Sequence, residues 1–298
     1  MPIRLGYAAL NTQLPGSNRT LRLRNATPER IIALGRQNLA ALLAILEWNR
    51  AHGIRVFRIS SDIIPFGSHP VNDLPWWEVL EPELTAVGTL VRTAGMRVSM
   101  HPGQFTVINS IRPEVVESSA AELVYHARLL DALGVDTRHK IVIHLGGVYG
   151  DKAASLRRFS EAFARLPANV QSRLVVENDE KNYTLADALA VSERTGAPVV
   201  FDIFHHGWNP SLAELSLRGL VERAAGTWKE SDGRPKLHYS DPWPGKPPGS
   251  HSQSVDVEAF AAFYRQVGDL EIDVMLEVKD KEQSVLRLYE LFPELRAE

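Results

Sequence analysis

The feature of this sequence that most constrains its fold is a regular alternation of short apolar segments with longer amphipathic ones. Eight segments rich in β-branched and aromatic residues have the length of buried strands. The stretches between them have helical spacing, and some carry end signals, such as Pro28 after Thr27. The predicted strands are 4–10, 55–61, 97–100, 140–145, 173–177, 198–203, 236–240 and 273–278. The predicted helices are 27–52, 74–93, 113–133, 153–166, 185–195, 212–225, 257–267 and 283–291.

Eight alternating strands and helices predict an α/β protein, a single (β/α)8 barrel over residues 1–298. The alternative is an open, doubly wound parallel sheet. The sequence contains neither a G-x-G-x-x-G after the first strand nor a G-x-x-x-x-G-K-[ST]. The usual nucleotide-binding reasons for an open sheet are therefore missing. The Gly- and Pro-rich segment 229–253 is too short to link two folded halves, so we interpret it as a long loop after strand seven.

Composition narrows the chemistry. The 298 residues are 44% apolar and 23% charged, which suits a large core and argues against disorder. The chain has no cysteine, so disulfides, Cys-based zinc sites and a thiol nucleophile are excluded. With no secretory signal and no uninterrupted apolar run of membrane-spanning length, the sequence predicts a cytoplasmic protein. The net charge of −3 argues mildly against a nucleic-acid partner, unless bound cations supply positive charge locally.

Candidate metal ligands stand at the predicted ends of strands three to eight. In a (β/α)8 barrel these strand ends meet on the face that carries the active site. Taken singly, each such side chain is more often a structural hydrogen-bond partner. Several of them buried together without cations would be costly, so the set favours divalent metals, and its mixture of imidazole and carboxylate suits Mn, Zn or Fe. The six residues are His101, His144, Glu177, Asp202, His238 and Glu277.

The remaining seven histidines fall into three groups. His205 follows Asp202 by three residues and could turn back into the same site, which would leave His206 facing elsewhere behind the ligands. His251 and His69 lie in predicted loops, where the ordinary interpretation is a solvated histidine. Three others lie on predicted helices or at their ends and are interpreted as structural: His52, His126 and His139.

Lys236 is an unusual neighbour for a metal site. It lies two residues before His238 on one strand, so both side chains point to the same face. An ammonium beside bound cations would be repelled. Lys236 is therefore neutral with a lowered pKa, carbamylated to an anionic ligand, or directed at a phosphate on the rim. An outward lysine would need a register shift of one residue, which would also turn His238 outward.

An ordered set of motifs resembles the bacterial UV damage endonuclease family. The resemblance extends from LGYAALN at 5–11 through strand eight, and its motifs are specific as a set although each alone is weak. They are HPGQF at 101–105, IHLGG at 143–147, VEND at 176–179, FDIFHH at 201–206, KLHYS at 236–240, GSHS at 249–252 and LEVKDKE at 276–282.

The resemblance implies a barrel nuclease related to endonuclease IV. Such an enzyme holds up to three metal ions, typically manganese, with zinc or another ion as the alternative. It hydrolyses the phosphodiester immediately 5′ of a lesion in double-stranded DNA. Cyclobutane pyrimidine dimers, (6-4) photoproducts and abasic sites are the expected substrates. The resemblance implies a monomer in the bacterial cytosol, without a membrane or protein partner.

The resemblance also assigns roles to residues. Glu177, Lys236 and His69 take catalytic roles, Lys236 at the position of a lysine that can be carboxylated and His69 at that of a histidine close to the scissile phosphate. Gln104 and Phe105 occupy the pair that probes DNA at the lesion, although relatives often have Tyr at the second position. The implied metal ligands are His101, His144, Glu177, Asp202, His205, His238, His251 and Glu277.

Further DNA contacts are predicted near the N-terminus. Tyr7 and Asn11, at the end of the first strand, are candidates to touch the duplex. The run 18–24, with three arginines, either grips phosphates or is a solvated loop. A sugar isomerase or epimerase on the same barrel is the competing function, although such sites usually hold one or two metals and fewer histidines. A binding protein that has lost activity is a third possibility.

Overall fold

Eight parallel strands close into a barrel in a computed structural model that describes residues 2–247 and 249–296. Each strand pairs with the next in chain order, and the last pairs with the first. The predicted (β/α)8 barrel is thereby confirmed, while its predicted limits, 1 and 298, lie outside the described residues. The strands are Ile3–Ala8 (β1), Val56–Ile59 (β2), Arg97–Met100 (β3), Ile141–His144 (β4), Leu174–Glu177 (β5), Val199–Asp202 (β6), Lys236–Tyr239 (β7) and Ile272–Leu276 (β8).

Helices follow every strand along the described chain. They are Pro28–Ala51 (α1), Trp76–Val79 (α2), Glu81–Thr93 (α3), Pro113–Ala132 (α4), Lys152–Arg165 (α5), Ala168–Gln171 (α6), Leu185–Thr195 (α7), Ile203–Trp208 (α8), Leu217–Ala225 (α9), Val257–Val267 (α10) and Glu282–Leu291 (α11).

Two helix predictions differ from the structure, and two short helices were not predicted. The predicted helix 74–93 is two helices, α2 and α3, because Pro82 stands in the first turn of α3 and starts a helix rather than continuing one. The predicted helix 212–225 begins only at Leu217, where the Ser216 hydroxyl accepts a hydrogen bond from the Gly219 N–H. The short helix α6 was not predicted, and neither was α8. Helix α8 begins directly after Asp202, whose side chain caps it.

The long helix α1 has the length and composition of a membrane span, but its inner face is buried on the barrel. Ile45 and Leu46 are fully buried in the main core. At its C-terminal end, Asn49 Oδ1 accepts a 2.6 Å hydrogen bond from the Tyr7 hydroxyl on β1. These contacts make α1 a core helix of the barrel.

An apolar waist fills the middle of the barrel interior. Alternate residues of each strand point inward, and two clusters of small apolar side chains lie apart from the larger core between strands and helices. The waist separates two charged layers, one at each end of the barrel. Its side chains are Ala8, Val56 and Met275 in one cluster and Val142, Val175 and Val200 in the other.

The lower charged layer, at the N-terminal strand ends, is an ion network around Asp273. Its Oδ1 lies 2.7 Å from Arg4 Nε and its Oδ2 lies 2.8 Å from Arg97 Nη1. Arg97 also donates to the main-chain oxygens of Arg138 and Asp232, at 2.8 and 2.7 Å. In this layer the Asp273 carboxylate is paired with two arginines at the bottom of the barrel.

Candidate active site

The upper charged layer is centred on Glu177, the buried last residue of β5. His101, directly after β3, places Nε2 2.9 Å from Glu177 Oε2, and His238 on β7 places Nδ1 2.5 Å from Oε1. His144, at the end of β4, has Nε2 3.6 Å from Oε2. Burial raises the pKa of Glu177, but the neighbouring histidines outweigh it and hold the pKa well below the usual value. Three imidazoles thus converge on one carboxylate.

Two groups of potential ligands share Glu177. His101, His144 and Glu177 offer ligand atoms within 4.8 Å of one another, and so do Glu177, Asp202 and His238. The buried Asp202 Oδ2 has no hydrogen-bond partner among the described residues, and burial raises the pKa of this carboxyl well above its usual value. A carboxylate common to two groups can be shared by a pair of neighbouring cations. The donor set therefore fits divalent metal ions.

Three further candidates surround these groups. The His205 N–H donates to Asp202 Oδ1 at 2.7 Å, which starts α8 and places its Nδ1 3.5 Å from Asp202 Oδ2. Glu277, just beyond β8, has Oε1 3.3 Å from His238 Nδ1. His251 Nε2 lies 3.9 Å from Glu277 Oε2. The eight candidate ligands are thus gathered in one cluster at the C-terminal end of the barrel.

Arg58 is a member of the cluster that sequence reasoning missed. This β2 side chain points into the barrel, where its Nη2 donates to His238 Nε2 at 2.9 Å and to Glu277 Oε1. Burial raises the pKa of Glu277, but Arg58 and then His238 outweigh it and lower the pKa far below normal. The available signal was an arginine inside the apolar strand VFRI, at the inward phase of its alternation.

Lys236 faces the barrel interior below the cluster. It pairs in register with Asp273, while neighbouring Leu237 packs in the outer core, so the outward alternative is wrong. Its Nζ is buried and, within the described parts of the chain, has no hydrogen-bond partner. Burial and the nearby Arg97 lower the pKa of Lys236 well below normal. The rim-phosphate alternative is not supported, because Lys236 is 1% exposed.

Comparison with known proteins identifies the family. A family model described as UV-endonuclease UvdE matches residues 3–297. A UV DNA damage endonuclease from Clostridium perfringens (strain 13 / Type A) is 40% identical over 290 residues, which cover 96% of this chain and 69% of that relative. The chain belongs to the UV DNA damage endonuclease family. The predicted resemblance is therefore confirmed.

Solved structures agree with membership of the UV DNA damage endonuclease family. The crystal structure named SacUVDE matches with a TM-score of 0.93 and 42% identity, covering 98% of this chain and 99% of that one. Endonuclease IV from Thermus thermophilus matches with a TM-score of 0.60 at 17% identity, over 98% of this chain and 99% of that one. This distant likeness shows the fold alone, and the same holds for a D-psicose 3-epimerase, with a TM-score of 0.52 at 14% identity over 79% of each chain. The family membership favours the endonuclease over the isomerase prediction.

Three of the residues predicted to meet DNA stand on loops after β2 and β3. Phe105 is 73% exposed and its ring lies over Gly103, where a side chain would clash with it. Gln104 is exposed and lines a cavity of about 330 Å³ together with His144 and Tyr149. His69 is exposed on the loop after β2. These three side chains are thus accessible at the end of the barrel that carries the cluster.

The predictions for Tyr7 and Asn11 need correction. Tyr7 is fully buried between β1 and α1, and Asn11 is buried with its Nδ2 donating to the Tyr7 hydroxyl at 3.0 Å. Tyr7 points outward from the barrel to the helix layer, because the strand alternation places Gly6 and Ala8 inward. Both side chains support the fold rather than offering a surface to DNA.

The arginines of the run 18–24, interpreted either as phosphate contacts or as part of a solvated loop, differ in exposure. Arg22 and Arg24 are exposed, whereas Arg19 donates to the Gly16 carbonyl at 2.6 Å. Arg22 and Arg24 are therefore the arginines of this run that are exposed to a phosphate.

The histidines interpreted as structural have structural contacts. His52 stacks on Trp48 with ring centroids 3.7 Å apart. His139 Nδ1 accepts a 3.1 Å hydrogen bond from the Val98 N–H at the start of β3. His126 is fully buried on α4, and burial lowers its pKa to about 4. His206, beside His205, instead packs against Phe201, with ring centroids 5.2 Å apart.

Proposed function

We propose that the protein is a metal-dependent DNA repair endonuclease that hydrolyses the phosphodiester 5′ of UV photoproducts. Cyclobutane pyrimidine dimers and (6-4) photoproducts are its proposed substrates, with abasic sites as a further one. The observation that carries the proposal is the Glu177 cluster, in which a buried carboxylate is common to two groups of potential ligands. Family membership supports endonuclease action on UV-damaged DNA.

The proposed metal ions would be held by residues at six strand ends. One ion falls to His101, His144 and Glu177, and a second to Glu177, Asp202 and His238. His205, His251 and Glu277 supply ligands for the remaining positions of a cluster of up to three ions. Manganese is the proposed ion, as the family resemblance implies, because imidazole and carboxylate together suit Mn, Zn or Fe better than magnesium or calcium. Bound ions would activate a water and stabilise the leaving oxygen.

His69 and Lys236 are proposed to complete the catalytic chemistry. The Val71 N–H donates to His69 Nδ1 at 3.0 Å, so the neutral ring carries its proton on Nε2. That N–H is proposed to donate to an oxygen of the scissile phosphate. Lys236, with its buried Nζ next to Arg97, is proposed to act in its carboxylated form, which replaces an unfavourable cation by an anion.

Gln104 and Phe105 are proposed to read the lesion. Phe105 offers an exposed aromatic face on which a base can stack, and Gln104 an adaptable donor and acceptor. Together they can occupy the gap left by an extruded lesion. Damaged double-stranded DNA is the proposed partner of a cytoplasmic monomer.

Nicking of UV-irradiated supercoiled plasmid tests the proposal. With Mn²⁺ present we expect relaxation of irradiated plasmid, no cleavage of unirradiated plasmid, and loss of cleavage with a chelator. Mapping on a dimer-containing oligonucleotide should give a 3′-hydroxyl and a 5′-phosphate 5′ of the lesion. Metal-loaded protein that leaves irradiated plasmid supercoiled while converting a ketose would favour the isomerase instead.

A further inference from the structure

The loop that carries His69 is fastened to α4 at three points. The Ile64 N–H donates to the Tyr125 hydroxyl at 3.2 Å. Gly67 lies directly against the Tyr125 ring, where a side-chain carbon would overlap ring atoms. The Ser68 hydroxyl donates to Glu122 Oε2. The last of these contacts involves the residue immediately before His69.

Further hydrogen bonds within residues 65–72 hold the loop in one backbone conformation. The His69 N–H donates to the Phe66 carbonyl at 3.0 Å, and Asn72 Nδ2 donates to the Pro65 carbonyl at 3.1 Å. Phe66 adopts a φ of +58°, which is uncommon for a bulky residue and needs support from its surroundings. A loop held in this way can present the His69 Nε2 proton at a fixed place.

Glu122 is a carboxylate buried on the face of α4 that meets this loop. The residue is 8% exposed, and burial raises its pKa. Its Oε1 lies 3.6 Å from His126 Nδ1, and its Oε2 receives the Ser68 hydroxyl. A buried carboxylate costs stability unless it is hydrogen-bonded. The contact with Ser68 offsets part of that cost and at the same time joins the loop to the helix.

The same helix also supports the metal cluster. The Tyr125 hydroxyl donates to the Ser61 carbonyl at 2.8 Å, and the Ser61 hydroxyl donates to the His101 carbonyl at 2.8 Å. His126 Nε2 lies 3.0 Å from the Ser61 Oγ. One helix thus holds the main chain of a candidate metal ligand and the loop of the candidate phosphate donor.

We propose that Glu122 is a positioning residue that, through Ser68, fixes His69 relative to the metal cluster. The proposal rests on the proposed function, in which His69 meets the scissile phosphate. Glu122 is buried against the loop and is in neither group of potential metal ligands, so its effect should appear in the rate of the cleavage step rather than in metal content. Small errors in the placement of a reacting group reduce rates strongly.

A double-mutant cycle on UV-irradiated duplex tests this role. We expect Ser68→Ala and Glu122→Ala each to lower kcat about tenfold with little change in KM or bound metal, because the donor is displaced by a fraction of a bond length. Glu122→Gln retains an acceptor for Ser68 and should restore most of the rate. In a His69→Ala background, Ser68→Ala should have no further effect. Glu117→Ala, an exposed change on the same helix, is the matched control.

Several outcomes would overturn the proposal. They are an unchanged kcat in Ser68→Ala, a full tenfold loss in the His69→Ala background, or a Glu122→Gln variant as slow as Glu122→Ala. Hydrogen exchange of residues 64–72 gives a readout that needs no cleavage, and it should rise in Ser68→Ala but not in Glu117→Ala. If wild-type protein does not cut, the proposed function fails and so does the role in cleavage. Exchange then decides separately whether the Glu122 contact holds the loop.

Discussion

Buried charged groups at the two ends of the barrel interior differ in whether they have partners within the chain. At the N-terminal end, Asp273 faces Arg4 and Arg97, and Arg97 also donates to main-chain carbonyls. At the C-terminal end, among the described residues, Asp202 Oδ2 and His144 Nδ1 are buried without a hydrogen-bond partner. Apart from the buried Lys236 Nζ, which has no hydrogen-bond partner among the described residues, the lower network is closed within the chain, whereas the upper one needs a group from outside it.

This difference separates residues that stabilise the barrel from residues that serve its function. Buried polar atoms are almost always paired, so an unpaired set marks a place where an ion or substrate belongs. We therefore expect that a substitution in the closed network around Asp273 lowers the free energy of unfolding. We expect that a substitution in the open network around Glu177 lowers metal binding and catalysis while the protein remains folded.

The largest effect is expected at the centre of the open network. Glu177→Ala removes the carboxylate common to both ligand groups, so cleavage of irradiated plasmid should fall by more than about 100-fold, the loss that even an outer partner of a ligand can cause. Elemental analysis should show loss of bound manganese, and circular dichroism a folded barrel. Full metal occupancy in this variant would refute the shared role, and Glu258→Ala on α10 is an exposed control.

In the closed network, Asp273→Ala should destabilise the protein by about 3–5 kcal/mol, because it leaves two arginines at the barrel bottom unpaired. Urea unfolding measures this change, and manganese content of the folded fraction should stay at the wild-type level. Asp269→Ala, which removes an exposed pair with Arg218, should change stability little.

The contribution of Asp273 to the free energy of unfolding should depend on pH, and the pKa shift of Asp273 gives its direction. Burial raises the pKa of Asp273, but Arg97 and Arg4 outweigh it and lower the pKa below its usual value. Its contribution to stability is therefore present above the unfolded pKa and is lost as pH falls through the folded one. The gap between wild type and Asp273→Asn should narrow below about pH 4. A constant gap down to acid unfolding would show that the carboxylate charge does not act there.

Added metal should stabilise the protein only through the ligand cluster at the C-terminal end of the barrel. Mn²⁺ at about 100 times its Kd should raise the free energy of unfolding by about 2.7 kcal/mol for each ion that binds independently. The gain should vanish in Glu177→Ala and persist in Asp273→Asn, as measured by urea titration with and without chelator. A gain of equal size in Glu177→Ala would place the stabilising ion elsewhere.

The smallest effect is expected on the loop above the cluster. Replacing Gln104 and Phe105 with Ala should weaken binding of a dimer-containing oligonucleotide, with loss of stacking on Phe105 worth roughly 1–3 kcal/mol. Metal content should not change. Ile111→Ala, another exposed apolar side chain later in the same connection, is the control. Unchanged affinity in the double variant would remove this pair from lesion recognition.

Sequence patterns were sufficient for the barrel and for the six candidate ligands at strand ends, because strand ends of a parallel barrel must meet on one face. His251, in a loop, was assigned only by the family resemblance. Sequence patterns failed where a local choice depends on three-dimensional neighbours. Arg58 looked like an ordinary charged residue in a strand until its carboxylate partner after β8 was known. Tyr7 ends a strand near the site, but its alternation phase turns it towards α1. Pro82 was visible in the sequence and marks the first turn of α3, but the helical spacing on both sides of it favoured one continuous helix.

The pairing of β8 with β1 has a consequence for how the protein is made. Arg4 and Asp273 are 269 residues apart in sequence, and the strands that carry them lie side by side. During synthesis the barrel cannot close until β8 has left the ribosome, and contacts so distant in sequence form slowly. Glu277 follows the same strand. A nascent chain therefore has an incomplete ligand cluster until closure, so the capacity to cut DNA arrives together with the finished barrel.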